Sequence, residues 1–380
     1  MSSERREPEA AAPEGVASLP VERARARVDV GAVERNCALL RAQAGGAALC
    51  AVVKADGYGH GAAGCARAAI AGGATWLGVA TAAEAVALRD AGVAARVLVM
   101  GALTPEELAL ARSADADVVA WSRDFVERAA GARMHVKLDS GMGRLGTRDP
   151  AEARALCARA AEAGELVGVM THFATADEIG DDHFARQLGR FRDFVDAVRS
   201  EHPDLVCHAA NSAATLRDPA AHFEMVRCGV AIYGLDPFQR DPADHGLEPA
   251  LALESYVAQV KRFEPGDSAG YGRTWRAPRR TNLGVVPIGY GDGVRRALSN
   301  KADVLVGGRR HPLVGTVSMD NVTIDLGPDT DVEAGAAAVL IGAQDDERIS
   351  CEEVARRLDT INYEVTCALS ARVRRVHDRS

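Results

Sequence analysis

The residues best suited to chemistry in this 380-residue chain lie in one stretch, LCAVVKADGYGHG at 49–61, where an apolar run delivers Lys54 into a turn carrying Asp56, Tyr58 and His60. An ammonium at the end of a buried strand loses solvation. That favours the neutral amine and makes Lys54 a candidate nucleophile toward a carbonyl, the chemistry of a Schiff base. Glycines at 57, 59 and 61 let the backbone approach a bound group where a Cβ would collide. A βα turn whose lysine merely reaches into water fits the same stretch, so the elements around it must decide.

Those elements alternate. Strand-like apolar runs fall at 49–54, 76–80, 96–100, 117–121, 134–139, 166–172, 205–210 and 225–233, separated by alanine-rich or amphipathic segments. The clearest helix, 182–200, places Phe184, Leu188, Phe191, Val195 and Val198 on one face and Arg186, Arg190 and Asp193 on the other. Eight strands with intervening helices predict an α/β fold, a (β/α)8 TIM-type barrel. Active sites of that fold gather where strands end. Lys54, Lys137 with Asp139, His172, Asn211 with Ser212, and Arg227 with Gly229 all fall at or near such ends. An open doubly wound sheet would want a glycine fingerprint after its first strand, and the sequence has none.

After Pro249 the pattern changes to short alternating runs punctuated by Gly and Pro, among them LESYVAQVKRF, NLGVVPIGY, ADVLVGG and AAAVLIGA. These predict a mostly antiparallel β domain over 249–380, with one helix near 350–358. The barrel domain is expected over 23–248, and residues 1–22, rich in Glu, Arg, Ala and Pro, as a disordered tail with neither a secretion signal nor an anchor. A net charge of -8 argues against nucleic acid or an anionic membrane as the main partner. The eight cysteines form no C-x-x-C pair and show no metal-ligand spacing, which points to reduced thiols in a cytoplasmic setting and to no metal.

Eight further motifs follow the lysine stretch in order: HVKLDSGMGRLG (135–146), THFATADE (171–178), HAANSAATL (208–216), MVRCGVAIYG (225–234), AGYGRTW (269–275), PIGYGDGVRR (287–296), GTVSMDN (315–321) and TINYEV (360–365). Together they resemble the alanine racemases, which interconvert L- and D-alanine with pyridoxal 5'-phosphate (PLP), over nearly the whole chain from about Ala26 onward. The resemblance implies that Lys54 carries the cofactor and that Tyr58, Ser212 and the backbone N–H groups of Gly229 and Val230 hold its phosphate, beside Asn211. It implies His172 against the ring and Arg227 at the ring nitrogen. A guanidinium does not give up its proton to that nitrogen, so the ring stays a weaker electron sink and transamination is disfavoured.

Racemisation needs an acid/base group on each face of the reacting carbon. The resemblance assigns Lys54 to one and Tyr271, from the other subunit of a homodimer, to the other. Arg144 and the Met319 backbone N–H would bind the substrate carboxylate, and Asp177, Tyr290 and Arg296 would line the entrance. Lys137 matches a lysine that is carbamylated in many members; an unmodified Lys137 paired with Asp139 is the plainer alternative.

For Ser212 alone, capping of the following helix is the default. In CALSARVRRV, Ala371 and Arg374 stand where a tyrosine and a proline are expected, which implies a roomier pocket that also accepts serine. The activity so implied supplies D-alanine for peptidoglycan. A broader small-amino-acid racemase is the first alternative. A non-catalytic PLP carrier would need neither the second domain nor Tyr271, and a decarboxylase relative would place an acid where Arg227 stands.

Overall fold

The computed structural model describes residues 22–379. The tail expected over residues 1–22 therefore lies, but for Glu22, outside the described residues. The chain opens with strand β1 (Arg25–Asp29). Eight parallel strands follow: β2 (Ala48–Val52), β3 (Trp76–Val79), β4 (Arg96–Val99), β5 (Ala116–Ala120), β6 (Arg133–Lys137), β7 (Glu165–Met170), β8 (Val206–His208) and β9 (Met225–Cys228). They pair in the order β8-β7-β6-β5-β4-β3-β2-β9. Backbone bonds from Glu224 N–H to the Cys207 carbonyl (3.1 Å) and from Arg227 N–H to the Ala210 carbonyl (2.9 Å) join the two ends. The sheet thus closes into the expected (β/α)8 barrel. Its strands are buried almost throughout because helices cover one face and the barrel interior the other.

The helix predicted over 182–200 spans His183–Arg199, and all five apolar residues assigned to its inner face are buried. Helices Ala82–Asp90 and Pro105–Ser113 each start with a reciprocal capping box, Thr81 with Glu84 and Thr104 with Glu107.

The second unit holds a seven-stranded sheet and a three-stranded sheet, mostly antiparallel. Strand β1 belongs to the larger of these, although it precedes the barrel in sequence. It pairs antiparallel with β10 (Leu251–Tyr256) and parallel with the last strand, Arg374–Asp378. The run LESYVAQVKRF, expected as one strand, breaks into β10 and Gln259–Phe263, which enter different sheets. The predicted helix spans Cys351–Leu358, and a second short helix, Asn362–Cys367, follows it.

Candidate active site

Lys54 does not end a strand. β2 stops at Val52, and from Ala55 the chain turns left-handed: Ala55 (φ 52, ψ 50), Asp56 (φ 51, ψ 49) and Gly57 (φ 63, ψ 43) are followed by Tyr58 (φ 53) and Gly59 (φ 82). Only glycine adopts this region freely. Three non-glycine residues there cost on the order of 3 to 6 kcal/mol.

The surroundings hold the strain in place. Glu84 accepts from Ala55 N–H (2.7 Å) as well as from Ala80 and Thr81 N–H. Asp56 accepts from Ala62 N–H (2.9 Å), and Arg375, from the last strand, donates to the Gly59 carbonyl (2.9 Å). A turn so over-determined marks a working site. It brings the Tyr58 ring inward, 5.3 Å from that of Tyr233 and 6.0 Å from that of Tyr363.

At this mouth of the barrel lies a cavity of about 460 Å³. Of the expected site residues, Lys54, Tyr58, Lys137, Arg144, His172, Asn211, Ser212, Arg227, Gly229 and Val230 line it. Four are cations, and no carboxylate joins them in the lining. Burial, with Arg144 and Arg227 nearby, lowers the Lys54 pKa against the pull of Glu84 and Cys367. Burial, then Arg227 and Arg144, brings Lys137 down to about 8. Among the described residues Lys137 forms no ion pair, because Asp139 is spent on the backbone N–H groups of Gly141, Met142 and Gly143. The plainer alternative, a Lys137–Asp139 pair, is thereby overturned. Burial and the same cations, Arg227 first, hold the His172 imidazole well below its ordinary range, so the ring is neutral.

Arg227 is 3% exposed and rigidly held. Its Nη1 donates to His208 Nδ1 (2.9 Å); its Nη2 donates to the carbonyls of Thr171 (2.8 Å) and Ala209 (3.0 Å) and to His172 Nδ1 (3.2 Å). Nε alone has no protein partner among the described residues, and the side chain lines the cavity. Ser212 Oγ accepts from the N–H groups of Gly229 (3.0 Å) and Ala231 (3.3 Å), which leaves its own proton for an outside acceptor. The N–H of Gly229, expected to hold phosphate, also bonds Ser212 Oγ, which places the two groups side by side. Helix capping, weighed for Ser212, falls to Asn211, whose Oδ1 accepts from Ala214 N–H (3.0 Å). Burial raises the Tyr58 pKa and keeps its hydroxyl a neutral donor. Gly229 is obligatory: a Cβ there would lie 2.4 Å from Tyr58 Oη.

These residues fit PLP. An anion-seeking cavity offers hydroxyl donors for a phosphate, a desolvated amine for an aldehyde and a fixed N–H donor for an unprotonated ring nitrogen.

The other expected residues lie elsewhere on this chain. Tyr271, Tyr290 and Met319 are exposed by 73%, 43% and 51% and line no part of the cavity. They share one edge of the second unit: Thr316 Oγ1 donates to the Tyr271 carbonyl (2.7 Å), and Tyr290 and Gly291 N–H groups bond to the Ser318 and Met319 carbonyls. Arg296 is exposed in the 3₁₀ turn Arg296–Leu298, and Asp177 is exposed near Tyr363. Ala371 lies exposed outside the lining, where Tyr363 and Cys367 of the short helix border the cavity. Tyr363 was within sight in TINYEV, but nothing in its spacing separated it from a core aromatic.

A strained lysine turn at the carboxyl mouth of a parallel barrel, opposite a fixed guanidinium, defines a barrel-type PLP-lysine protein. Family models described as the alanine racemase N-terminal domain and C-terminal domain match residues 28–237 and 250–377. Alanine racemase of Frankia casuarinae is 45% identical over 92% of this chain and 94% of its own length; that of Streptomyces coelicolor is 43% identical over 93% and 96%. The solved alanine racemase from D-cycloserine-producing Streptomyces lavendulae superposes with a TM-score of 0.90 at 40% identity, covering 95% of this chain and 98% of that one. The chain belongs to the alanine racemase family.

Proposed function

We propose that this protein interconverts L- and D-alanine with PLP, using Lys54 and Tyr271 as its two acid/base groups, and so supplies D-alanine for peptidoglycan. The observation that carries the reading is the cavity itself: Lys54, Arg144 and Arg227 converge there with no lining carboxylate to neutralise them. Bound PLP supplies an electron-withdrawing ring that acidifies the substrate α-carbon. Arg227 Nε offers the ring nitrogen a donor that does not transfer its proton, which keeps the sink moderate. Tyr58 and Ser212 donate to the phosphate. Arg144, exposed at the cavity and without an ion pair among the described residues, is free to fork onto the substrate carboxylate.

The amine of Lys54, its pKa lowered by burial, takes or returns the α-proton on one face. We assign the opposite face to Tyr271. Tyr271 stands exposed on the second unit with Met319 and Tyr290, as suits residues reaching a second copy's cavity. We therefore assign a homodimer with shared sites, Met319 N–H on the substrate carboxylate, and Asp177, Tyr290 and Arg296 at the entrance. Lys137, with its pKa near 8 and no ion pair among the described residues, is assigned as carbamylated: its neutral amine adds to carbon dioxide, loses a proton and becomes an anion beside Arg144. No helix among the described residues is long and apolar enough to cross a membrane. Eight free cysteines, all but Cys367 buried, support a reducing, cytoplasmic setting.

The test is a chiral assay with each enantiomer. Tyr271→Phe is expected to slow proton removal from L-alanine by roughly 10²–10⁴-fold while removal from D-alanine falls far less. Unchanged solvent-deuterium exchange into both enantiomers would defeat the pairing.

A further inference from the structure

Behind Arg227 a file of buried polar side chains crosses the barrel interior. His208 Nε2 lies 2.9 Å from His135 Nδ1, and His135 Nε2 lies 3.2 Å from Asp117 Oδ2. Asp117, His135 and His208 are all 0% exposed. At the far end Arg96 binds Asp117 Oδ2 (Nη2, 2.9 Å), and Arg133 Nε donates to Oδ1 (2.5 Å). The residues come from β5, β6, β8 and β9, so no single motif contains them.

The file has a direction. A guanidinium has only donors, so His208 Nδ1 must accept from Arg227 and its proton must sit on Nε2. That proton faces His135 Nδ1, which then accepts, so His135 carries its own proton on Nε2. The last donor meets a carboxylate, the side chain that only accepts. Each group is satisfied only if both imidazoles are neutral Nε2–H tautomers. Burial, followed for His208 by the Arg227 charge, disfavours their protonated forms, in line with that pattern.

We propose that Asp117 is a positioning residue for the reaction: by ending this file as an acceptor it sets the tautomers of His135 and His208 and so pins the guanidinium of Arg227 in the cavity. The proposal rests on the reading of Arg227 as the ring-nitrogen partner. Asp117 touches neither substrate nor cofactor, but its acceptor oxygens decide whether Nη1 of Arg227 has a lone pair to point at. An amide at position 117 has one acceptor where the carboxylate has two, and these receive Arg96, Arg133 and His135. In Asp117→Asn a donor must face a donor: with the amide oxygen toward Arg133 the clash falls on His135 and the file relieves it by flipping a tautomer against Arg227, and with the oxygen toward His135 it falls on Arg133.

The experiment compares holoenzyme of the wild type, Asp117→Asn, Asp117→Leu and Arg227→Lys, recording kcat, KM for alanine and the absorption band of the bound cofactor. Asp117→Asn is expected to lower kcat at least ~10-fold with KM nearly unchanged and to shift the band in the same sense as Arg227→Lys, since only orientation in the bound state is lost. A wild-type band and kcat in Asp117→Asn and also in Asp117→Leu, which offers His135 no acceptor, with Arg227→Lys altered, would overturn the proposal and leave the Arg227 reading standing. If Arg227→Lys also leaves both unchanged, the reading of Arg227 itself falls. Should Asp117→Asn not fold, ¹⁵N-histidine spectra of wild-type holoenzyme decide: two buried neutral Nε2–H rings support the file, and an Nδ1–H ring or an imidazolium at His135 or His208 overturns it.

Discussion

Replacing Gly229 with alanine adds one methyl group at a crowded point of the cofactor cavity. Its Cβ would lie 2.4 Å from Tyr58 Oη, 2.9 Å from Cζ and 3.3 Å from Cε2. Tyr58 cannot simply swing aside, because its ring is wedged between those of Tyr233 and Tyr363 and the residue is 8% exposed. Overpacking of this kind costs about 1–3 kcal/mol. If the strain is relieved by moving the hydroxyl off the phosphate position, that energy appears as weaker PLP binding, about 5- to 150-fold. The assay is a titration of apoenzyme with PLP, read by absorbance, on wild type, Gly229→Ala, Tyr58→Phe and the double variant. Tyr58→Phe removes the atom in closest conflict, so the double variant is expected to lose less than the sum of the single losses. Gly229→Ala with wild-type PLP affinity and thermal stability would refute the claim that Tyr58 Oη is fixed against this backbone.

Three further outcomes follow from the same geometry. Glu84→Ala leaves the N–H groups of Ala55, Ala80 and Thr81 without their acceptor and is expected to cost ~1–2 kcal/mol in chemical denaturation, with weakened PLP binding because the left-handed turn loses its tether. Burial lowers the His60 pKa to about 4, so this ring is neutral in the fold while the unfolded chain takes up a proton below about pH 6.5. Stability is therefore expected to fall as pH drops from about 6.5 toward about 4, with a shallower decline in His60→Gln; equal slopes would contradict it. Lys137 is expected to carry an extra carboxyl in electron density at neutral pH and to lose it in acid, where the amine is protonated. Density for a bare ammonium in bicarbonate-supplied protein would dismiss the modification.

The barrel was legible because eight apolar runs recur between amphipathic segments, a pattern that periodicity reads directly. The partners of a strand are not so readable. Strand β1 alternates like any half-buried strand, and nothing local says that it pairs with residues more than two hundred positions away. The turn after Lys54 was hidden for another reason: Ala55 and Tyr58 are residues that shun positive φ, and bonds made by Glu84, Asp56 and Arg375 hold the turn there.

Within the site, residues at strand ends could be placed because the fold has a known working face. Asp117, His135 and His208 could not, since one polar residue inside ADVVA, RMHVK or VCH looks like an interruption of a core strand. Tyr363 and Cys367 were missed with the short helix that carries them.

The central claim is that Lys54 of one copy works with Tyr271 of another. Mixing refolded Lys54→Ala and Tyr271→Phe subunits tests it most directly. A hybrid dimer then holds one site with both defects and one with neither, so random pairing should restore about a quarter of wild-type activity with L-alanine. A mixture no more active than its two parents would contradict the account.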